Sequence, residues 1–222
     1  MSQKNIIITG AGRGIGLELV KILSKKHKIT ALSRNIAALE NLPNIKAISV
    51  DFSHPDFSKL LDVNQFNTID IVIHNAGKLI NKPFETLTNQ DFQEVYQVNV
   101  FAVAELTRFL LPKMQKGSHM LNISSMGGIQ GSSKFAGLSA YSSSKGALIT
   151  LTEVLAEEYK EQKISFNALA LGAVQTEMLA EAFPNFQAPT TAEEMATFIA
   201  DFALNGAQFF NGKVLQVAHS TP

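Results

Sequence analysis

Cysteine is absent from the chain, which excludes disulfides, thiolate metal sites and cysteine nucleophiles and agrees with a reducing compartment. A charge excess of either sign is absent too. The 19 Lys and Arg balance 19 Asp and Glu, with no basic stripe or lysine block, so neither nucleic acid nor a membrane surface is an expected partner. No apolar run approaches membrane-spanning length. Near the start, Lys4 is followed by only three apolar residues before Thr9 and Gly10, too few for a signal-peptide core, so a cytoplasmic location is expected. Linkers, short repeats and low-complexity stretches are missing as well. The 222 residues, 45% of them hydrophobic, suffice for one substantial core, and a single domain over 1–222 is expected.

What the chain does have is a glycine-rich stretch, Thr9-Gly10-Ala11-Gly12-Arg13-Gly14-Ile15-Gly16. It follows the β-branched run Asn5 to Ile8, which reads as a buried strand. It precedes Leu17, Leu19, Val20, Ile22 and Leu23, spaced for one helical face. Strand, glycine turn and helix start together suit an anion, because glycines admit positive φ and remove Cβ atoms, while the helix start offers free N–H groups and the positive end of its dipole. A cofactor pyrophosphate fits that description. The G-x-G-x-x-G fingerprint fails, since Ile15 and Leu17 stand where its third glycine would be, and a P-loop fails at the same place.

Further along, apolar strands alternate with amphipathic helices. Strands are expected at Lys28–Ser33, Lys46–Val50, Ile69–His74, His119–Ser125, Ile164–Leu171 and Asn211–Val217. Helices are expected at Ile36–Leu42, Pro55–Val63, Asn89–Met114, from Tyr141 to Glu161, and at Ala192–Leu204. This alternation calls for an α/β fold: a doubly wound parallel sheet of about seven strands, covered on both faces. An acid at the end of the second strand would bond the adenosine ribose, whereas a basic residue accommodates a 2′-phosphate. The chain has Ser33-Arg34 there, with Arg13 in the glycine turn as a second phosphate partner, so NADP(H) is preferred over NAD(H).

The chemistry is carried by Tyr141-Ser142-Ser143-Ser144-Lys145 at the opening of a long helix. Residues four apart share a face, so Tyr141 and Lys145 can address one reacting group. A free phenol has a pKa of about 10, and a nearby ammonium lowers it, tuning the tyrosine for proton transfer with a carbonyl oxygen. Ser124 and Ser125 stand at the carboxyl end of a parallel strand, where open α/β sheets bind ligands. A Gly-x-Ser-x-Gly elbow is absent, since Ile123 precedes the pair at the first glycine position.

With T-G-x-x-x-G-x-G near the start, His74-Asn75-Ala76-Gly77 after the fourth strand and Tyr-x-x-x-Lys on the long helix, the chain resembles classical short-chain dehydrogenase/reductases over nearly its whole length. The resemblance implies a three-layer Rossmann domain and Tyr141 as general acid/base. It implies that Lys145 bonds the ribose and lowers the phenol pKa, that Ser125 orients the substrate oxygen, and that Asn99 kinks its helix and holds a water in a proton relay. Cofactor contacts are expected from Gly10, Gly12, Arg13, Gly14, Ile15, Gly16, Ser33, Arg34, Asp51, Phe52, Asn75, Ala76, Gly77, Tyr141, Lys145, Gly172, Val174 and Thr176. Asp51 would bond the adenine ring and Thr176 the nicotinamide amide. Reduction of a small carbonyl is favoured over alcohol oxidation, by hydride transfer that the cofactor carries and the protein orients.

Three departures from the family pattern stand out. His74 replaces an Asn and reads as a structural substitution with no metal role, because no partner stands at ligand spacing. Leu171 replaces a Pro ahead of Gly172, which puts the stiffness of that loop in doubt, and the usual terminal Asp-Gly-Gly is missing. Met178, Phe183 and their apolar neighbours suit either a substrate lid or core packing. The helical regions Asn99–Met114 and Tyr141–Glu161 correspond to those that build the family's dimer interface, so a homodimer or homotetramer is expected. A non-catalytic NADP-binding sensor on the same fold is the alternative, although such relatives lose the Tyr or the Lys. Methyl transfer is more remote: Gly10, Gly12 and Gly14 match its glycine run, but Ile8 stands where its acid belongs.

Overall fold

A computed structural model describes residues 2–219. Seven parallel strands form one sheet in the order β3-β2-β1-β4-β5-β6-β9. These are β1 (Asn5–Thr9), β2 (Lys28–Ser33), β3 (Ile45–Ser49), β4 (Ile69–His74), β5 (Met114–Ser125), β6 (Ser165–Leu171) and β9 (Val214–Val217). A separate parallel pair joins β7 (Val174–Gln175) to β8 (Thr190–Thr191). The expected doubly wound parallel architecture is therefore present. Strand order reverses between β1 and β4, and open sheets bind ligands outside the carboxyl ends of the strands at such a point.

Burial on both faces explains the uninterrupted apolar strands. In β1, Ile6 and Ile8 enter one core together with Leu19, Val20 and Leu23 of α1 (Gly14–Leu23) and Ile199 and Ala203 of α7 (Ala192–Asn205). Ile7 points the other way, into a core with Val72, Phe166 and Leu106, the last on α4 (Ala102–Leu110). This second layer includes α5 (Ser139–Glu158), which buries Ala156 there, and α3 (Asn89–Tyr96) packs against α5. Two helix starts are written locally as capping boxes, Thr88 with Asp91 at α3 and Thr191 with Glu194 at α7.

Several expected helices are shorter than the periodicity suggests. Ile36–Leu42 reduces to one 3₁₀ turn at Ala37–Leu39, of which only Leu39 is buried. Pro55–Val63 becomes the single-turn α2 (Phe57–Leu60) and a 3₁₀ turn at Val63–Gln65. Asp62 divides the two, because its carboxylate accepts from the Asn64 N–H and starts the second turn. Asn89–Met114 is interrupted by a π-helical turn at Gln97–Phe101, and α4 stops at Leu110 where Pro112 forces a 3₁₀ turn. Strand β5 then begins at Met114 instead of His119, with a register shift against β4 between Ile69 and Ile71. No helix among the described residues is long and apolar enough to cross a membrane.

Candidate active site

The floor of the cleft is a clasp between the ends of β1 and β4. The Thr9 hydroxyl accepts from the main-chain N–H groups of both Asn75 and Ala76, each at 3.0 Å. In return the Asn75 amide donates to the carbonyl oxygens of Thr9 and Gly10, each at 3.2 Å. Gly10, at φ +67°, lies so near this clasp that a Cβ there would stand 2.8 Å from the Ala76 Cα. A Cβ on Gly12 would collide with the Asn35 carbonyl oxygen and the Ser33 hydroxyl, so the apex of the turn rests on the end of β2. Beyond it α1 begins without any side-chain cap and with no acid in its first turn. An uncapped helix start at the rim of a cavity suits an anionic group.

That cavity encloses about 560 Å³ and is lined from end to end by the residues singled out above, including Gly10, Arg13, Gly14, Ile15, Ser33, Arg34, Asp51, Phe52, Asn75, Ala76 and Gly77. Gly12 and Gly16 instead pack inside the turn, where a Cβ on Gly16 would strike the Gly10 carbonyl oxygen. At the β2 end, Arg34 faces solvent and Asp51 stands close by. The Ser53 N–H at 2.9 Å holds the Asp51 carboxyl below its ordinary range, with a smaller contribution from the Arg34 guanidinium. Arg13 does not point free into the cleft. Its Nη1 meets Glu181 Oε1 at 2.7 Å.

At the other end of the cavity, Ser125 closes β5, and Tyr141 and Lys145 project one turn apart from α5. The Ser125 hydroxyl accepts from the Gly127 N–H at 3.2 Å, leaving its own proton for another acceptor. Ser124 donates to the Lys145 carbonyl at 3.0 Å and so tethers α5 to β5. Lys145 is 4% exposed, and its Nζ donates to the Ile123 carbonyl at 2.8 Å. Burial pushes its pKa down to about 8. Its ammonium stands 5.7 Å from the Tyr141 ring centre. The expected lowering of the phenol does not appear in the protein alone: burial raises the Tyr141 pKa, against a smaller opposing effect of the Ser125 hydroxyl.

Asn99 is fully buried in the π-helical turn. Its amide donates to the Lys78 carbonyl and to Ser144 Oγ, both at 2.9 Å, and its Oδ1 accepts from the Lys78 N–H at 2.8 Å. Ser144 passes the connection to the Tyr141 carbonyl at 2.7 Å. The side chain therefore locks the strand-four loop to the helix that bears Tyr141. Both its amide protons are committed, so the side chain can take a further donor only at the remaining Oδ1 lone pair.

Met178 and Phe183 line the cavity from a segment built on α6 (Glu177–Ala182). The base of this segment is pinned where β7 pairs with β8, and the Gly172 N–H donates to the Val217 carbonyl at 2.9 Å. These bonds stiffen the loop where Leu171 stands in place of a proline. Thr176 caps α6, its hydroxyl accepting from the Leu179 N–H at 3.3 Å, and Val174 is buried. Asn81 Nδ2 also ties the segment down, donating to the Ala182 carbonyl at 2.8 Å. A Cβ on Gly77 would stand 3.7 Å from Lys145 Nζ and 3.8 Å from Met178 Cε, which brings this segment close to the Tyr141–Lys145 corner.

His74 is enclosed beside Thr107 at 3.3 Å, and burial drives its pKa down to about 3. Residues not singled out from sequence are Lys78, Asn81, Ser144, Glu177 and Glu181, together with Phe135 and Leu138 from the loop before α5. Lys78, Asn81, Ser144 and Glu181 meet partners remote in the chain, Glu181 lying 168 residues from Arg13, so no local pattern marks them.

The sequence pattern of the family described as short chain dehydrogenase matches residues 4–186. The chain is 32% identical over 188 residues to "Ketoacyl reductase HetN" of Nostoc sp., a match covering 78% of this chain and 64% of that protein. It is 30% identical to "L-xylulose reductase" of Bos taurus over 187 residues, 80% of this chain and 75% of that one. Among solved structures, a 4-hydroxyisoleucine dehydrogenase complexed with NADH superposes with a TM-score of 0.83 at 26% identity, covering 97% of each chain. A short chain dehydrogenase family protein from Francisella tularensis gives 0.86 over 98% of each chain, at an identity of 21% that speaks for the fold alone. With the glycine turn, the β1–β4 clasp and the Tyr141–Lys145 pair around one cleft, the chain belongs to the short-chain dehydrogenase family and is an oxidoreductase of it.

Proposed function

We propose that the protein is an NADP(H)-dependent carbonyl reductase. The observation that carries this reading is the convergence on one cavity of Tyr141, Lys145 and Ser125 with Arg34 at a β2 end that lacks an acid. When bound in this cleft, NADPH supplies a hydride to the carbonyl carbon. The chain's own residues handle the oxygen. Ser125 donates a hydrogen bond to the carbonyl oxygen, while its own acceptor position is already held by the Gly127 N–H. Tyr141 delivers its hydroxyl proton to that oxygen as negative charge develops there. Lys145 remains protonated at neutral pH, with its pKa near 8, and its positive charge favours the phenolate left behind. Asn99 positions this group through Ser144.

The substrate end is apolar. Leu79, Met126, Phe135, Leu138, Met178 and Phe183 line it, while the polar ends of Lys78 and Asn81 are engaged by Glu94 and the Ala182 carbonyl. That lining favours an uncharged hydrophobic aldehyde or ketone. A homo-oligomer in the cytoplasm completes the reading, supported by exposed Phe101 and Val154 on the two expected interface helices. Calorimetric titration of NADPH and NADH, followed by NADPH consumption against a carbonyl panel, tests it. Arg34→Ala is expected to weaken NADPH about tenfold or more, the range for hydrogen bonds to charged groups, and to spare NADH. Tyr141→Phe is expected to abolish turnover with NADPH affinity retained. Absence of binding by either nucleotide overturns the proposal.

A further inference from the structure

Arg13 and Arg34 adjoin the same end of the cleft, because Gly12 rests on Ser33 and Asn35 and carries Arg13 toward the residue after β2. Neither arginine is alone there. Asp51 stands beside Arg34, Glu181 pairs with Arg13 at 2.7 Å, and Glu177 adds its field to Arg13 from the first turn of α6. Two guanidinium groups thus adjoin three carboxylates, two of them contributed by α6. Glu177 also approaches the glycine turn, its Oε2 lying 3.3 Å from where a Cβ on Gly14 would be. A phosphate that enters this end meets Arg13 already neutralised.

We propose that Glu181 is a selectivity-determining residue for the dinucleotide: its carboxylate is the counter-charge that a 2′-phosphate must displace from Arg13, so it weakens NADP(H) binding and leaves NAD(H) binding unchanged. The proposal rests on the NADP(H) reading above. The pair is built to exchange. Its side chains are 50% and 64% exposed, and ion pairs of that kind are weak and screened by salt. A phosphate dianion offers the guanidinium a stronger, bidentate partner. Release of Glu181 also unties one cross-link on α6 and leaves in place the Asn81 bond to the Ala182 carbonyl.

The test is binding, with no turnover required. Dissociation constants for NADPH and NADH are measured calorimetrically on the full chain for wild type, Glu181→Gln, Arg13→Ala, Arg34→Ala and the double variant Arg13→Ala/Glu181→Gln. Removing one exposed counter-charge corresponds to about a two- to fivefold change. Glu181→Gln is expected to tighten NADPH by that factor, to leave NADH unchanged, and to have no effect once Arg13 is gone. An equal change for both nucleotides, no change for NADPH, or a gain that persists without Arg13 overturns the role of Glu181 and leaves the NADP(H) reading standing if wild type still prefers NADPH. A wild type that binds NADH as tightly as NADPH, with Arg34→Ala indifferent to both, removes the reading and the proposal together.

Discussion

Lys145 should make the protein less stable than it would be without a charge there. Its folded pKa is about 8 against an ordinary 10.5, and burial is the cause. At pH 7 the ammonium is protonated in both folded and unfolded chains, and the folded chain bears the full cost of burying it, about 3 kcal/mol for a displacement of this size. Between pH 8 and 10.5 the unfolded chain holds the proton that the folded chain has released, so stability rises with pH across that window. Lys145→Met removes the charge and keeps an unbranched side chain of similar length. It also loses the bond to the Ile123 carbonyl, worth about 1 kcal/mol. The expected net gain at pH 7 is about 2 kcal/mol in urea denaturation without nucleotide, shrinking toward zero or slightly below by pH 10. Added NADPH should reverse the ranking, because binding stabilises only a protein that retains its affinity. A variant no more stable than wild type at pH 7, or an advantage equal at both pH values, refutes the argument that burial of this ammonium costs stability.

Other outcomes follow from single contacts. Thr9→Val strips the acceptor from the Asn75 and Ala76 N–H groups and should cost about 2–6 kcal/mol in chemical denaturation, two unmet amides at the usual penalty. Gly12→Ala drives a methyl group into the Asn35 carbonyl and the Ser33 hydroxyl; calorimetry should find nucleotide binding lost or weakened about fivefold to 150-fold, the effect of overpacking by about 1–3 kcal/mol. His119, held neutral with a pKa near 4 against 6.5 for the free group, stabilises the fold above pH 6.5 and loses that contribution as pH falls toward 4. His119→Gln should therefore flatten the dependence of stability on pH between those values.

The glycine turn, the strand alternation and the Tyr141–Lys145 spacing were legible because each is a short-range pattern with a geometric cause. Helix lengths were less so. Apolar periodicity marks Asn89–Met114 as helical throughout, yet nothing in it separates an i→i+4 from an i→i+5 turn, and Asn99 sits in the latter because Lys78 and Ser144 hold its side chain. The 36–42 and 55–63 segments have too few buried positions to sustain a helix beyond one turn. The expected effect of Lys145 on Tyr141 considered charge and omitted burial, which sets the direction for both groups in the protein alone. Glu181 carries no local signature because its partner lies at the opposite end of the chain.

The Thr9–Asn75 clasp also has a consequence for the order in which the molecule assembles. The glycine turn is complete by residue 16, but the groups that hold it come from residues 75 and 76, beyond three further strands. Closing a loop of that length has an entropic cost before any contact rewards it, and parallel pairing is slow for the same reason. A nascent chain that has emerged only as far as β3 contains every glycine of the motif and no binding site. Affinity for a dinucleotide should therefore arise abruptly, and only after β4 has docked beside β1, so the nucleotide acts as a reporter of the β1–β4 pairing and not as a nucleus for it.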